Sequence, residues 1–533
     1  MTTLLLLAAY VPLAETPPNL LVILVDDMGF SDLGCTGSEI PTPSIDRIAA
    51  EGLLYPNFTN TGRCCPTRAS LLTGQWSHAV GVGHMNEDTG LPAYRGRLNA
   101  SALTFGEVLQ EAGYFTAAVG KWHVGSQTAA LRPNARGFDR FFGVPEGGGF
   151  YYRTRPGRTV RRDETIVFSA SNQPPEGWYT THAWADATIE FIDAAAAADR
   201  PFAIYLAHNA PHFPLQADRT VIQKYRGTYA AGWDEIRRER LTRQKAAGLF
   251  PEDTRLSPRP DNVKPWSETT PAERDRFDHT MACYAATIDL LDRSVGRVLD
   301  VLDDRGLAED TFVMFLSDNG ASDEGGVYGR LKGDVPGDAD SSVFAGRAWA
   351  TASNTPLRRH KKSAHEGGIR TPLLVRWPGG FAATGELREE PGHVVDILPT
   401  LLDVAGAKYP ETRGGESLRP PDGRSLRPTF DRSPLPRRRL FWSHEGNEAI
   451  REGDLKLVRG WQEPWELFDL AADPTELRDL AAERPEDVRR LTAAHAEWSA
   501  DIGASWADYT AARAAKKAKD GRKRTGQRGA AKP

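Results

Sequence analysis

The chain has 533 residues, with 66 Lys and Arg against 71 Asp and Glu, a net charge of −5 and four cysteines. Forty per cent apolar and 26% charged residues is globular composition, which excludes a disordered chain, and four cysteines exclude a disulfide scaffold. Residues 511–533 hold nine Lys or Arg and one Asp, so the rest of the chain is acidic and a nucleic-acid-coating protein is excluded. Fifty glycines and 37 prolines point to many loops, and the length allows three or four domains or one large α/β domain with an appendage.

Residues 1–14 (MTTLLLLAAYVPLA) are uncharged, and the apolar stretch has signal-peptide length without being long enough to span a bilayer. A signal peptide and a periplasmic or secreted destination are therefore expected; an apolar N-terminal strand is the alternative, since no Lys or Arg precedes the run. Residues 19–25 (NLLVILV) are continuously apolar and β-branched, as in a parallel strand buried on both faces. Residues 202–206 (FAIYL) and 311–316 (TFVMFL) are two more such runs. Helical patterns lie at 44–52, 104–112, 183–197 and 277–302, the last with Ala286, Leu290, Val295 and Val298 on one stripe. This alternation predicts an α/β domain built on a large, mostly parallel sheet flanked by helices. Residues 213–276 read as an insertion with a charged helix at 233–247 and a Pro-rich loop. From about Asp431 short alternating runs are followed by a helical pattern at 485–499, so a C-terminal antiparallel sheet with one helix is expected over 431–505, after a main domain over 19–430. The basic residues 511–533 read as a disordered tail, with weak attraction to polyanions as the alternative. No run of 18 uncharged apolar residues occurs, so an integral membrane protein is not expected.

Two buried strands end in oxygen-rich pairs, Asp26-Asp27 and Asp318-Asn319. Ligands gather at the carboxyl ends of strands in open α/β sheets, so these four groups are candidate ligands of one divalent cation, Ca2+ or Mg2+ rather than zinc. Each pair alone also suits a turn-capping role. In Gly62-Arg63-Cys64-Cys65-Pro66-Thr67-Arg68 the proline marks a helix start, with Cys64 just before it and Arg68 one turn on. A helix N-terminus beside a guanidinium suits an anion and favours charge on a nucleophile at Cys64; a structural or redox cysteine pair is the alternative.

Cys64-Cys65-Pro66-Thr67-Arg68, continuing into ASLLTG, resembles the C-x-P-x-R signature of the type I sulfatases, a branch of the alkaline phosphatase superfamily. The resemblance covers residues 19–500 and includes NLLVILVDDMGFSDLGCTG, AVGKWHVG, APHFPLQ, LSDNG and HEGGIRTPLLVRWPGG; the insertion and the ending WELFDLAADPTELRDLA are similar to bacterial arylsulfatases. It implies an alkaline phosphatase-like fold and conversion of Cys64, by a formylglycine-generating maturation enzyme, to 3-oxoalanine (formylglycine). The hydrated aldehyde attacks sulfur, and its second hydroxyl later expels sulfate. Asp26, Asp27, Asp318 and Asn319 match the family's calcium ligands, with residue 64 completing the shell. Arg68 and Lys121 match groups that stabilise formylglycine, and His123 matches the acceptor of the diol proton. His212 matches a sulfate-binding residue that protonates the leaving group, and Asp318 could serve as base for the attacking hydroxyl. Lys361 matches the sulfate-binding lysine, with Lys362 next to it as the alternative. Lys121, His212 and Lys361 would thus contact the sulfate.

The implied activity is sulfuric ester hydrolysis of a small-molecule or carbohydrate sulfate. Phosphonate or phosphodiester hydrolysis is a competing reading, because related sites accept both tetrahedral anions, and a non-catalytic binder of sulfated ligands is a third. His78 reads as a pocket-lining or packing residue, while His208 and His444 are further candidates for substrate contact. Cys35 and Cys283 read as buried thiols and Cys65 as a free one. The substrate-selecting loops at 143–153 and 214–266 carry no readable pattern, and neither does the oligomeric state.

Overall fold

The computed structural model describes residues 17–529, so the expected signal segment at 1–14 lies outside the described residues. A ten-stranded mixed sheet runs in the order Glu386–Leu387, Leu53–Tyr55, Leu373–Arg376, Thr311–Ser317, Asn19–Val25, Phe202–Ala207, Phe115–Lys121, Arg140–Val144, Val160–Arg162 and Thr165–Phe168. Its five central strands, from Thr311–Ser317 to Arg140–Val144, are mutually parallel, and antiparallel strands flank them. Strand alternation divides the core between two faces. Leu21, Ile23 and Val25 face one apolar cluster, while Leu20, Val22 and Leu24 face the other. That double burial is why the strand reads as a continuous apolar run.

The 34-residue helix Pro271–Asp304 packs on the first face beside Thr180–Ala197 and Pro43–Ala50. Ala286, Leu290, Val295 and Val298 are all buried, as the stripe predicts. Thr270 caps this helix by accepting the Glu273 N–H, and the Glu273 carboxylate reaches back to the Thr270 N–H. On the second face lie Cys64–Thr73, Phe105–Glu111 and Ile397–Ala405. A four-stranded antiparallel sheet, Arg439–His444, Asn447–Glu452, Leu455–Arg459 and Glu466–Asp469, carries the helix Pro485–Asp501. Its Trp442 packs with Trp76, Ile369 and Val395 of the main unit, and the Trp442 indole N–H donates to the Asn60 carbonyl at 2.8 Å.

Three details differ from the sequence reading. Cys64 is the first helical residue rather than the one before it, with Arg63 as the extended N-cap. Cys35 is only half-buried, because it sits in the short turn Gly34–Thr36 instead of the core. Residues 506–529 form one helix where a disordered tail was expected from 511. Ala, Lys and Arg are strong helix formers, and the fully buried Tyr509 anchors its first turns. No helix of the described residues is long and apolar enough to cross a membrane.

Candidate functional site

The site forms at the carboxyl ends of neighbouring parallel strands. Asp26 and Asp27 follow Asn19–Val25, and Asp318 and Asn319 follow Thr311–Ser317, which pairs with it in register. Both turns are tied together: the Asp318 backbone N–H donates to the Val25 carbonyl at 3.0 Å and the Met28 N–H to Ser317 Oγ at 3.2 Å. Asp27 adopts φ 68°, a left-handed conformation that a non-glycine residue takes where the surroundings demand it. Ligand atoms of Asp26, Asp27, Cys64 and Asp318 all lie within 4.8 Å of one another, and all four residues are buried.

Each carboxylate has its own cation. Arg68 is fully buried, with Nε and Nη2 donating to Asp318 Oδ2 at 3.0 and 2.7 Å and Nη1 to the Lys121 carbonyl at 2.9 Å. The Lys121 ammonium donates to Asp26 Oδ2. Lys361 Nζ lies 2.9 Å from Asp27 Oδ2 and 3.0 Å from Glu324 Oε2. The neighbouring Lys362 has φ 80° and turns outward to half-exposure, which leaves Lys361 as the lysine at the carboxylates. Asn319 Nδ2 donates to Asp27 Oδ1 at 2.7 Å, while Asn319 Oδ1 and Asp26 Oδ1 are buried with no hydrogen-bond partner. Two orphaned oxygens among three carboxylates form a donor set suited to a hard divalent cation.

His123 and His212 complete the wall. His123 takes φ 64° and its buried Nδ1 has no partner; a Cβ on Gly147 would lie 2.1 Å from its ring, so that position needs glycine. His212 Nδ1 sits 2.6 Å from the Phe213 carbonyl and Nε2 3.6 Å from Asp27 Oδ2. Cys64, His123, His212 and Lys361 line a cleft of about 340 Å³ together with Arg63, Arg155, Arg158, Phe213 and Glu324.

Burial sets the protonation states. It pushes the Cys64 thiol well above the usual cysteine range, with Asp318 and Asp26 adding to the rise and Lys121 and Lys361 opposing it. Burial and the Asp26 charge push Asp318 up to about 6, against Arg68 and Lys121. Burial alone would raise Asp27, but Lys361 and His212 hold it well below the carboxylate range. Both histidines are pushed down by burial: His123 further by Lys121 and Arg68, His212 by Lys361 and Lys121 against the pull of Asp27.

Asp26, Asp27, Cys64, Arg68, Lys121, His123, His212, Asp318, Asn319 and Lys361 are thus brought to one place. The remaining candidates lie elsewhere. His78 packs edge-on against Tyr94, and His208 is fully buried with both ring nitrogens unpartnered. His444 stacks on His84. Among the described residues all four cysteines are free. Sequence reasoning missed Arg63, Arg155, Arg158, Phe213 and Glu324; the one available signal was the basic run in the Pro/Gly loop RTRPGR.

Fold and donor set together define an alkaline phosphatase-like protein. A family model described as Sulfatase matches residues 18–407, and one described as N-sulphoglucosamine sulphohydrolase, C-terminal, matches 359–494. An uncharacterised sulfatase of Schizosaccharomyces pombe is 36% identical over 527 residues, covering 91% of this chain and 94% of its own. The arylsulfatase of Klebsiella aerogenes is 32% identical, covering 77% and 91%. The N-acetylgalactosamine-6-sulfatase of Homo sapiens is 30% identical, covering 86% and 75%. The crystal structure of Ps i-CgsB superposes with a TM-score of 0.67 at 26% identity, over 92% of this chain and 94% of that one. The chain belongs to the type I sulfatase family.

Proposed function

We propose that this protein is a sulfuric ester hydrolase whose nucleophile is a formylglycine made from Cys64. One observation carries the reading: a buried cysteine sits against three carboxylates, each matched by its own Lys or Arg, at the floor of a cleft wide enough for a sulfate ester. An unmodified thiol there stays protonated and is a poor nucleophile, which favours conversion of Cys64. Hydrated formylglycine supplies the attacking hydroxyl and a second hydroxyl whose deprotonation expels sulfate. Asp26, Asp27, Asp318, Asn319 and residue 64 would hold the divalent cation, Ca2+ by their all-oxygen character once residue 64 is formylglycine, and it would supply charge to a sulfate oxygen and lower the hydroxyl pKa.

The other side chains divide the remaining work. Arg68 holds Asp318 by two N–H groups, so that carboxylate stays aimed at residue 64 as base for the attacking hydroxyl. Lys121 and Lys361 balance Asp26 and Asp27, so that once a dication adds its charge the floor becomes net positive and attracts an anion. The neutral His123 is able to accept a proton at the cleft wall. His212 donates through Nδ1 to the Phe213 carbonyl, leaving Nε2 as its titrating atom, and a sulfate anion beside it favours the protonated form that serves a leaving oxygen.

Carbohydrate sulfates fit the same reading: the Ps i-CgsB relative has been crystallised with k-i-k-neocarrahexaose, and Arg155 and Arg158 on the cleft rim offer contacts to an extended anion. The test is turnover of an aryl sulfate beside an aryl phosphodiester, with mass spectrometry of the peptide containing Cys64. Faster sulfate cleavage and an aldehyde at residue 64 are expected. Protein from its native host that carries only cysteine there, or that prefers the phosphodiester, would overturn the proposal. We further propose a periplasmic or secreted destination, a reading supported by the uncharged apolar stretch of signal-peptide length at residues 1–14.

A further inference from the structure

Beside the catalytic cleft, three segments distant in sequence converge on a second cluster of metal-type donors. His84 comes from the loop after the Cys64 helix, and His444 ends the strand Arg439–His444. Glu445 opens the two-residue turn into Asn447–Glu452, and ligand atoms of His84, His444 and Glu445 all lie within 4.8 Å of one another. Glu445 at φ 49° and Gly446 at φ 77° form a primed hairpin turn, a position that favours Asn or Gly over Glu. Something at this site holds a glutamate in a conformation it rarely adopts.

The hydrogen bonds show what is missing. Tyr509 Oη lies 2.9 Å from His84 Nδ1 and 3.4 Å from Glu87 Oε2. The other ring nitrogen, His84 Nε2, faces Glu445 Oε1 at 3.1 Å. His444 is 4% exposed, has no hydrogen-bond partner at either ring nitrogen, and places Nε2 3.6 Å from the same oxygen. Its ring stacks on His84 with centroids 5.3 Å apart and 13° between planes.

From this geometry we propose a second metal site, selective for zinc-type dications, made by His84, His444 and Glu445. Bond lengths of 2.0–2.1 Å in a tetrahedron give ligand–ligand edges of about 3.3 Å. Two of the three edges, at 3.1 and 3.6 Å, bracket that value, and the third, between the two imidazoles, lies within 4.8 Å. Two imidazoles and one carboxylate select zinc over calcium, and Tyr509 is the outer partner at His84 Nδ1. Glu445 also borders a cleft of about 820 Å³ with Asn447 and Lys362, which leaves a fourth position for water. The metal would clasp the main unit, the C-terminal sheet and the helix Trp506–Gly529, where Arg513 and Glu87 already pair at 2.7 Å.

The test uses full-length protein stripped with a chelator and dialysed against Zn2+ in the continued presence of excess Ca2+, with metal content measured by mass spectrometry. Wild type should retain one zinc per chain more than His84→Gln and Glu445→Gln, while His212→Gln in the catalytic cleft keeps that zinc. Equal zinc in wild type and both cluster variants, or its loss with His212→Gln, overturns the site. Should the cluster variants fail to fold, X-ray absorption on zinc-loaded His212→Gln protein decides. Scattering from two imidazoles is expected, and an all-oxygen shell overturns the proposal.

Discussion

Arg68 shows how one residue type fixes both stability and chemistry. Its guanidinium spans Asp318 and the Lys121 carbonyl inside a fully buried site, a fork that lysine cannot reproduce. Removing it leaves the Asp318 charge buried with its nearest partner gone. Arg68→Ala should therefore lose about 3–5 kcal/mol of stability in urea unfolding, as broken buried pairs do. Cys64→Ala, which removes no charge, should lose well under half of that while abolishing sulfate-ester turnover. Comparable losses in the two variants would show that Arg68 does not hold Asp318. His212 invites a different measurement. If its Nε2 protonates the leaving oxygen, His212→Ala should slow esters of alcohols by roughly 10²–10⁴-fold and nitrophenyl sulfate far less, because a nitrophenolate leaves without help. Equal slowing across leaving groups would assign His212 to sulfate binding alone.

At the scale of elements, the lysine loop is supported from outside the main sheet. Glu366, in the short helix Glu366–Ile369, accepts from Lys456 Nζ at 2.6 Å, and Lys456, in the strand Leu455–Arg459, also reaches Glu476 at 2.9 Å. All three side chains are fully buried, and the Glu366 backbone N–H is itself bound by Glu476 at 3.0 Å. The C-terminal sheet thus pins the segment that carries Lys361. Lys456→Met should cost about 3–5 kcal/mol by leaving Glu476 unpaired and Glu366 with only Arg370 at 3.7 Å. It should also reduce kcat/KM for a sulfate ester, whereas an unchanged kcat/KM would show that the loop is held by other contacts. Little of this support was legible in the sequence. The strands Asn19–Val25 and Thr311–Ser317 announced themselves because burial on both faces demands unbroken apolar runs, and the Asp pairs at their ends followed directly. Lys456 and Glu476 sit in short alternating strands and turns where a buried charge looks like a solvated one. Glu324, Arg155 and Arg158 come from loops, which carry no periodicity to read. His84 meets Glu445 across 361 positions, a pairing that only the packing of two units creates. The helix Trp506–Gly529 was misread because the same Ala, Lys and Arg residues suit a helix or a solvated tail, and the decisive anchor, Tyr509, lies just before the basic run.

Across the whole molecule, buried histidines outside the catalytic cluster set how stability responds to acid. His78, His208 and His393 are each pushed down to about 3 by burial, and none is more than 4% exposed. In the unfolded chain each returns to about 6.5. A folded-state pKa below the unfolded one means that unfolding takes up protons once the pH drops under about 6.5. The stabilising contribution is therefore complete above that value and is lost progressively as the pH falls toward 3. Near pH 5 to 6 the unfolded state binds close to one proton more per histidine, and three such groups contribute a slope of about 4 kcal/mol per pH unit. Few carboxylates titrate in that interval, although Asp292 and Asp318, each raised to about 6 by burial, oppose part of the slope. Urea midpoints measured from pH 7.5 down to 5 should accordingly fall steeply below about 6.5 and be nearly flat above it. Stability that holds constant to pH 5 would mean that these imidazoles are charged in the folded protein, contrary to their apolar surroundings.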